Sequence, residues 1–439
     1  VTLPDLRAYQ TDVIERAAPL APAGVLVQLP TGSGKTRIGQ EIALRHLARG
    51  GRRVLWLAHR DELVEQPASK LRAMGTPVAT VRPGAAPVGD APVVIASVQT
   101  LVARGPSAAP PATLVIYDEA RHVGDAPRWS EVARAVGEGR PRVGLDATPQ
   151  GDLRGLFAAI VQGPSVRALI DEGHLVQPVH LAPSTMVDQL AAHPVDAWER
   201  LLAPDRALVF CRDVAHARAT AREANERGAR AAAVHGETPT RERRAAIEAY
   251  ARGEIELLVG VNVFVDGFDA PATRAIIVAR GVSNESTWVQ IGGRGLRTAP
   301  GKTSCKIVDL LGLTHRFGLL DEPREWSIDG RPARRTSALP SVTRCPSCLA
   351  WGPPSSRCVG CGRETPPAPP PKVRARDLQE VRQREPKGQQ FERLVEYVRL
   401  ARRRAYQDGW AAFRWKGTYG YMPPAGWLKA AIKAAGEAA

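Results

Sequence analysis

Short apolar runs recur through the first 315 residues, and each is followed by a longer stretch with helical spacing. VLVQLP (25–30), RVLWLAH (53–59), PVVIASV (92–98), TLVIYDE (113–119) and RVGLDAT (142–148) form a first series. Runs of this kind, apolar without alternation, are the pattern of strands buried on both faces, as in a parallel sheet covered by helices. Ile38, Ile42 and Leu47 trace a helix face between the first two runs. A polar, Pro-containing stretch at 183–205 ends the series. A second series then runs through ALVFCR (207–212), AAAVHG (231–236), ELLVGVN (256–262), AIIVAR (275–280) and CKIVDLLG (305–312). Two successive α/β lobes with parallel sheets are the simplest fold that accounts for both.

The pattern stops near residue 330, and charge changes there too. Residues 331–439 hold 21 Lys+Arg against 8 Asp+Glu, which leaves 39 against 37 for residues 1–330. Such a concentrated positive field favours polyanions, above all nucleic acid. Of the 60 basic residues 51 are Arg, beside abundant Ala, Pro and Gly, so genome bias explains the choice of Arg but not the clustering. A chain of 439 residues with 44% hydrophobic content can build two or three domains with real cores. No run of 18 apolar residues and no basic-then-apolar leader is found, so neither a membrane span nor a secretion signal is expected, and the cytoplasm is the expected compartment.

Four of the six cysteines are clustered as Cys345-x2-Cys348-x9-Cys358-x2-Cys361. Two thiolate pairs on neighbouring turns suit one tetrahedral Zn²⁺ in a structural site, with an iron–sulfur cluster or a redox pair as the alternatives. The divisions expected are a first lobe at 1–175, a second at 176–330, a four-cysteine ribbon at 340–364, a Pro-rich and basic linker at 365–387, and a basic aromatic tail at 388–439. In the tail, Phe391, Leu394, Val395, Val398 and Arg402 follow helical spacing. Trp410, Phe413, Trp415, Tyr419, Tyr421 and Trp427 either stack bases or form the core of a small module, and core is the expectation for most of them.

LPTGSGKT (29–36) lies between a strand and a helix, where a phosphate-binding loop belongs. Pro30, Thr31, Gly32, Ser33 and Gly34 would let backbone N–H groups close around phosphate oxygens. Lys35 would reach the β and γ phosphates of ATP, and Thr36 the Mg²⁺. Asp118 and Glu119 end a later strand, where Asp118 would hold Mg²⁺ through water and Glu119 would orient or deprotonate the attacking water.

With Leu29 in place of the usual first Gly, the loop resembles the variant of superfamily 2 helicases of the DEAD/DEAH type. That resemblance extends over residues 3–312 in several separate motifs. LRAYQ (6–10) resembles the entry motif whose Gln, here Gln10, recognises adenine, with Arg7 beside it. LDATP (145–149), carrying Asp146 and Thr148, resembles the coupling motif. GVNVFVDGFDAP (260–271) resembles the motif whose Asp, here Asp269, approaches the ribose. QIGGRGLR (290–297) resembles the motif that supplies Gln290 and the γ-phosphate arginines, here Arg294 and Arg297. Arg60, Gln99 and Thr100, and Arg212 stand where the family contacts the nucleic-acid backbone. The resemblance implies two tandem RecA-like lobes and an ATP hydrolase driven over DNA, acting as a monomer. The cysteine cluster and the Gly-Trp-Ala and Tyr-Gly-x-x-Pro tail resemble the RadD-like, phage-type branch of DNA repair helicases, so single-strand-binding or recombination proteins are candidate partners of the tail. An RNA helicase, or a nonmotor adaptor with a switch-like ATP site, are the alternatives.

IYDEARH (116–122) departs from that family. Arg121 replaces His or Asp in the motif's fourth position, and Asp146 replaces Ser or Thr in the coupling motif it normally meets. An Arg and an Asp there would form a charge-assisted hydrogen bond in place of a neutral one.

Overall fold

A computed structural model describes residues 5–59, 61–124, 127–183, 187, 189–261, 264, 270–331, 334–335, 343–345, 347–348, 350–352, 357–364, 387–404, 406–407, 409–419, 423–424 and 426–436. The chain divides into two compact units, Val1–Pro367 and Ala368–Ala439.

The first lobe is built on strands β1 (Val25–Gln28), β2 (Val54–Ala58), β3 (Val78–Val81), β4 (Val93–Ser97), β5 (Leu114–Asp118), β6 (Arg142–Asp146) and β7 (Ala159–Gln162). They lie in the order β3-β4-β2-β5-β6-β1-β7, all parallel. β1, β2 and β4 are buried at every position because helices cover both faces. One face carries Val27, Trp56, Ile95 and Ile116, and the other Leu26, Leu55, Val115 and Tyr117, with Phe157 edge-on to Tyr117. Gly144 in β6 is obligatory, since a Cβ there would lie 2.6 Å from Phe157 and 2.7 Å from Leu26.

The second lobe repeats the plan with β8 (Gln177–Leu181), β9 (Ala207–Cys211), β10 (Ala231–Val234), β11 (Leu257–Gly260), β12 (Ala275–Ala279) and β13 (Ser304–Asp309). Their order is β10-β11-β9-β12-β13-β8. Helix Val214–Glu226 is capped by Asp213, which accepts from His216 N at 2.7 Å, and helix Glu285–Gly293 by Asn284, which accepts from Thr287 N at 2.8 Å. Leu169, on the short helix Val166–Asp171, and Leu175 pack with Phe210, Phe264 and Trp288, so residues assigned by sequence to the first lobe contribute to the core of the second.

The cysteine segment is not free-standing. Strand Trp351–Gly352 pairs antiparallel with β8 through Trp351 and His180, and Thr343–Arg344 pairs in turn with it, so the ribbon extends the second sheet. Trp351 Nε1 donates to Ala182 O at 3.0 Å, and its ring meets His315 edge-on. Val179 packs beneath Cys345, Ala350 and Cys358.

The second unit has helices Lys387–Arg403, Gly409–Tyr419 and Trp427–Gly436. Leu394, Val395, Val398, Ala411, Trp415 and Ala431 form its core, and Trp427 meets both Phe391 and Trp415 edge-on. Most of the aromatic residues that can be placed are therefore core. Trp410 is half-buried; Tyr421 and the Phe413 and Tyr419 side chains lie outside the described set, as does most of the linker.

His180 couples this packing to pH. It is fully buried, accepts from Leu320 N at 3.2 Å through Nε2, and has no partner for Nδ1 among the described residues. Burial pushes its pKa down to about 4, against the pull of Asp321 and Asp309. The unfolded chain then binds the extra proton below about pH 6.5 while the folded chain resists it until about pH 4, so stability falls as pH is lowered through that window. Between pH 7 and pH 5 the expected loss is about 2 kcal/mol, seen as a drop in thermal midpoint that His180→Gln flattens.

Candidate ATP site and interlobe network

The phosphate loop leaves β1 at its carboxyl end and turns into helix Lys35–Ala48. Gly32 and Gly34 take φ of +89° and +85°, a region that L side chains rarely adopt. Ser33 is fully buried, with Oγ donating to Pro30 O at 2.7 Å. Its carbonyl accepts from Tyr9 Oη at 2.6 Å and from Gln10 Nε2 at 3.1 Å, while Gln10 Oε1 accepts from Arg7 N at 3.0 Å. The amide expected to meet adenine is engaged here in holding the loop. Tyr9, which sequence reasoning passed over, packs against the cores of both lobes and fastens the loop through the same Ser33 carbonyl.

A cavity of about 320 Å³ opens over this loop, lined by Arg7, Thr31, Gly32, Lys35, Thr36, Asp118, Glu119, Pro271, Arg294 and Arg297. Cations and loop glycines from one side, and carboxylates at the end of β5, make it fit a triphosphate with a divalent ion. A larger cavity of about 370 Å³, at the opposite end of the sheet, is lined by Ile14, Ile42, Leu114 and Val143 among others and includes none of the phosphate-loop or strand-end carboxylate residues. Lys35 Nζ donates to Leu29 O at 3.3 Å. Burial holds its ammonium below the ordinary lysine range, with Glu119 and Asp146 opposing. Asp118 is pushed up to about 7 by burial and by the Glu119 charge, and Lys35 opposes that shift. Glu119 has a φ of +52°, the one non-glycine residue in the left-handed region among those described, which marks stored strain at the wall of the cavity.

Arg121 and Asp146 meet. Arg121 N donates to Asp146 Oδ2 at 2.6 Å and Nη1 to Oδ1 at 3.2 Å, with both side chains buried. The same Nη1 also pairs with Glu119 Oε2. Asp146 Oδ1 accepts from Thr148 N at 2.8 Å. The chain continues into the second lobe, where Ser286 Oγ lies 2.6 Å from Thr148 Oγ1. Gln290 presents its amide oxygen to Arg121 Nη1 at 2.8 Å and to Thr148 Oγ1 at 2.7 Å, the orientation that avoids setting two donors face to face. One continuous polar path therefore runs from the Glu119 carboxylate to the helix that precedes Arg294. Ser286 was not singled out by sequence, and only its position one turn before Gln290 hinted at it.

Of the remaining candidates, Gln99 is exposed, whereas Thr100 is buried and does not present its side chain to a strand. Arg212 is exposed and pairs with Asp213 at 2.9 Å. Arg60 and Asp269 lie outside the described residues. The four cysteine Sγ atoms all lie within 4.8 Å of one another, with Cys345 to Cys361 at 3.8 Å and Cys348 to Cys358 at 3.5 Å. A metal with four bonds to sulfur of about 2.3 Å requires edges of about 3.8 Å, so the set fits one tetrahedral ion. N–H groups of Cys348 and Ser347 directed at Cys345 favour its thiolate.

Residues 3–151 match the family described as the res subunit of type III restriction enzymes, and residues 193–299 match the helicase conserved C-terminal domain. The chain is a superfamily 2 helicase of the DEAD/DEAH type. As an enzyme this helicase is an ATP hydrolase. It is 26% identical over 368 residues to a 51.5 kDa protein of Lactococcus phage (isolate 7-9), covering 77% of this chain and 78% of the phage protein. It is 27% identical over 368 residues to a Saccharomyces cerevisiae protein named, provisionally, the ATP-dependent helicase IRC3, covering 73% of this chain and 53% of the relative; the chain thus spans about half the length of that yeast protein. In fold it is similar to a fragment provisionally described as the HsdR subunit of a type I restriction enzyme from Vibrio vulnificus YJ016, with a TM-score of 0.56, 23% identity, and coverage of 74% and 67% of the two chains. No helix among the described residues is long and apolar enough to cross a membrane.

If Arg121 and Asp146 act as a pair, Arg121→Ala and Asp146→Ala are each expected to lower nucleic-acid-stimulated ATP turnover at least about tenfold, the double variant costing little more than the worse single. Steady-state turnover of the four proteins measures the coupling, and additive losses count against a direct link.

Proposed function

We propose that this helicase is a DNA translocase or strand-separating enzyme of recombination or repair, working over single-stranded or branched DNA without reading sequence. The observation that carries this reading is the single cavity into which the phosphate loop, both strand-end carboxylates and the two second-lobe arginines all project. The restriction-enzyme name of the matched family supports DNA over RNA. The phage relative favours the RadD-like, phage-type branch.

In this reading Lys35, Arg294 and Arg297 hold the triphosphate while Asp118 and Thr36 hold the Mg²⁺. The ion supplies charge neutralisation on the phosphate oxygens. Glu119 orients the attacking water once released from Arg121, Gln10 meets adenine once its amide is released from Arg7 N and Ser33 O, and Asp269 contacts the ribose. Because the arginines come from the opposite lobe, hydrolysis depends on closure, a contribution typically of about 10³–10⁵ in rate. Nucleic acid bound across both lobes biases the same equilibrium, so ATP and strand alter each other's affinity. The basic tail adds a second strand contact. Arg399, Arg402 and Arg403 are exposed on its first helix and Arg404 just after it, near in sequence to Tyr406, which is 48% exposed and lies 5.3 Å from the Trp410 ring, a combination suited to stacking unpaired bases.

ATP turnover against matched single-stranded, duplex and forked DNA and RNA tests the proposal. Single-stranded or forked DNA is expected to stimulate most, with Lys35→Ala abolishing turnover. A preference for RNA moves the assignment to an RNA helicase, and function retained in Lys35→Ala moves it to a nonmotor adaptor. The four-cysteine site is assigned to structural Zn²⁺, which would supply folding energy to a segment with little core. Elemental analysis is expected to give about one zinc per chain, lost in a Cys345→Ser, Cys361→Ser double variant; iron in its place overturns the assignment.

A further inference from the structure

The turn between Arg297 and β13 places a lysine where the motor has no obvious use for one. Lys302 N donates to Ala299 O at 3.1 Å, and Gly301 takes a φ of +66°, so the chain reverses and the lysine side chain folds back beneath the loop it has just left. There it is 7% exposed. Its Nζ donates to Gly295 O at 2.7 Å, to Arg297 O at 2.8 Å and to Pro271 O at 2.9 Å. An ammonium has three protons and no acceptor, so these three carbonyls satisfy it completely.

The three carbonyls belong to two separate segments that line the same cavity. Gly295 and Arg297 lie in the segment that runs on from Arg294, and Pro271 stands between β11 and β12; Pro271, Arg294 and Arg297 all face the triphosphate cavity. The loop has little other freedom. Leu296 O accepts from Val176 N at 2.8 Å, and a Cβ on Gly295 would lie 2.3 Å from Cys305 Sγ, so no side chain fits between the loop and β13. Arg297 in turn lies against the phosphate loop, its Cγ 3.2 Å from where a Cβ on Gly32 would stand.

We propose that Lys302 is a positioning residue for hydrolysis: its ammonium ties the Pro271 loop to the Gly295–Arg297 loop and so fixes where the Arg297 guanidinium stands over the phosphate loop. Burying a charge without a carboxylate costs stability, and burial together with Arg274 and Arg297 pulls the ammonium down to about 8, offset by Cys305. It is nonetheless charged at neutral pH, and three charge-assisted bonds to backbone hold both loops more rigidly than apolar packing does. Misplacement of a transition-state contact by about 1 Å costs on the order of 10²-fold in rate, which is the scale at stake here.

The proposal rests on the ATPase reading above, and its test separates the two. In the full chain, Lys302→Met is expected to lower stimulated kcat by about 10–100-fold with the KM for ATP changed less than about threefold. In an Arg297→Ala background the same substitution is expected to cost less than about twofold more, because the group it positions is gone. Lys302→Gln, which keeps two neutral N–H donors in place of the three of the ammonium, should fall between wild type and Lys302→Met, and decides by the same cycle if Lys302→Met does not fold. Unchanged kcat, or losses that simply add to those of Arg297→Ala, overturn the positioning role. A wild-type chain without ATP turnover overturns the underlying reading and this proposal with it.

Discussion

In both sheets the parallel strands point the same way, and so the residues that follow them emerge at one edge. The loop after β1 carries the phosphate-binding glycines, the end of β5 carries Asp118 and Glu119, and the end of β6 carries Asp146 and Thr148. β1 lies beside β6, and β6 beside β5, so these three chain segments, spread over residues 29–148, become neighbours without any side chain having to reach far. Ligand sites outside the carboxyl ends of parallel strands follow from this geometry alone. The second lobe then has only to deliver one helix and the loop after it.

Burying Arg121 and Asp146 at that edge sets the character of the coupling. A buried guanidinium and a buried carboxylate each carry a desolvation cost that neither meets alone, so the pair is held together or not at all. The same Arg121 contacts Glu119 and Gln290. Its charge is thereby shared among the Glu119 carboxylate, Asp146 at the end of β6 and Gln290 of the opposite lobe. A neutral residue in its place could not answer to all three. The positive φ of Glu119 fits such a site, where neighbouring contacts over-determine a strained backbone.

Much of this was legible in the sequence because it depends on local pattern. Unalternating apolar runs announced buried strands, glycines at fixed offsets announced the phosphate loop, and the cysteine spacing announced a metal-sized cluster. The odd pair Arg121 and Asp146 could be matched because the two motifs they stand in resemble motifs of the helicase family that normally meet. What escaped were contacts whose partners share no motif. Tyr9 meets Ser33 across 24 residues, Ser286 meets Thr148 across 138, and Trp351 meets Ala182 across 169. Thr100 looked available to a strand of nucleic acid but is turned inward, because exposure depends on what packs above a residue and not on its polarity.

The sequence by itself determined two parallel α/β lobes, the phosphate loop, the carboxylate pair and a cysteine cluster of metal-binding spacing, since hydrophobic period and glycine placement act over a few residues. Only the tertiary structure decided that the cysteine ribbon extends the second sheet, that residues 166–176 pack with the second lobe, that Gln10 holds the phosphate loop, and that Arg121 answers to both lobes. Those outcomes depend on which buried polar groups find partners once distant segments meet, and a single side chain in the sequence does not disclose the partner that will satisfy it.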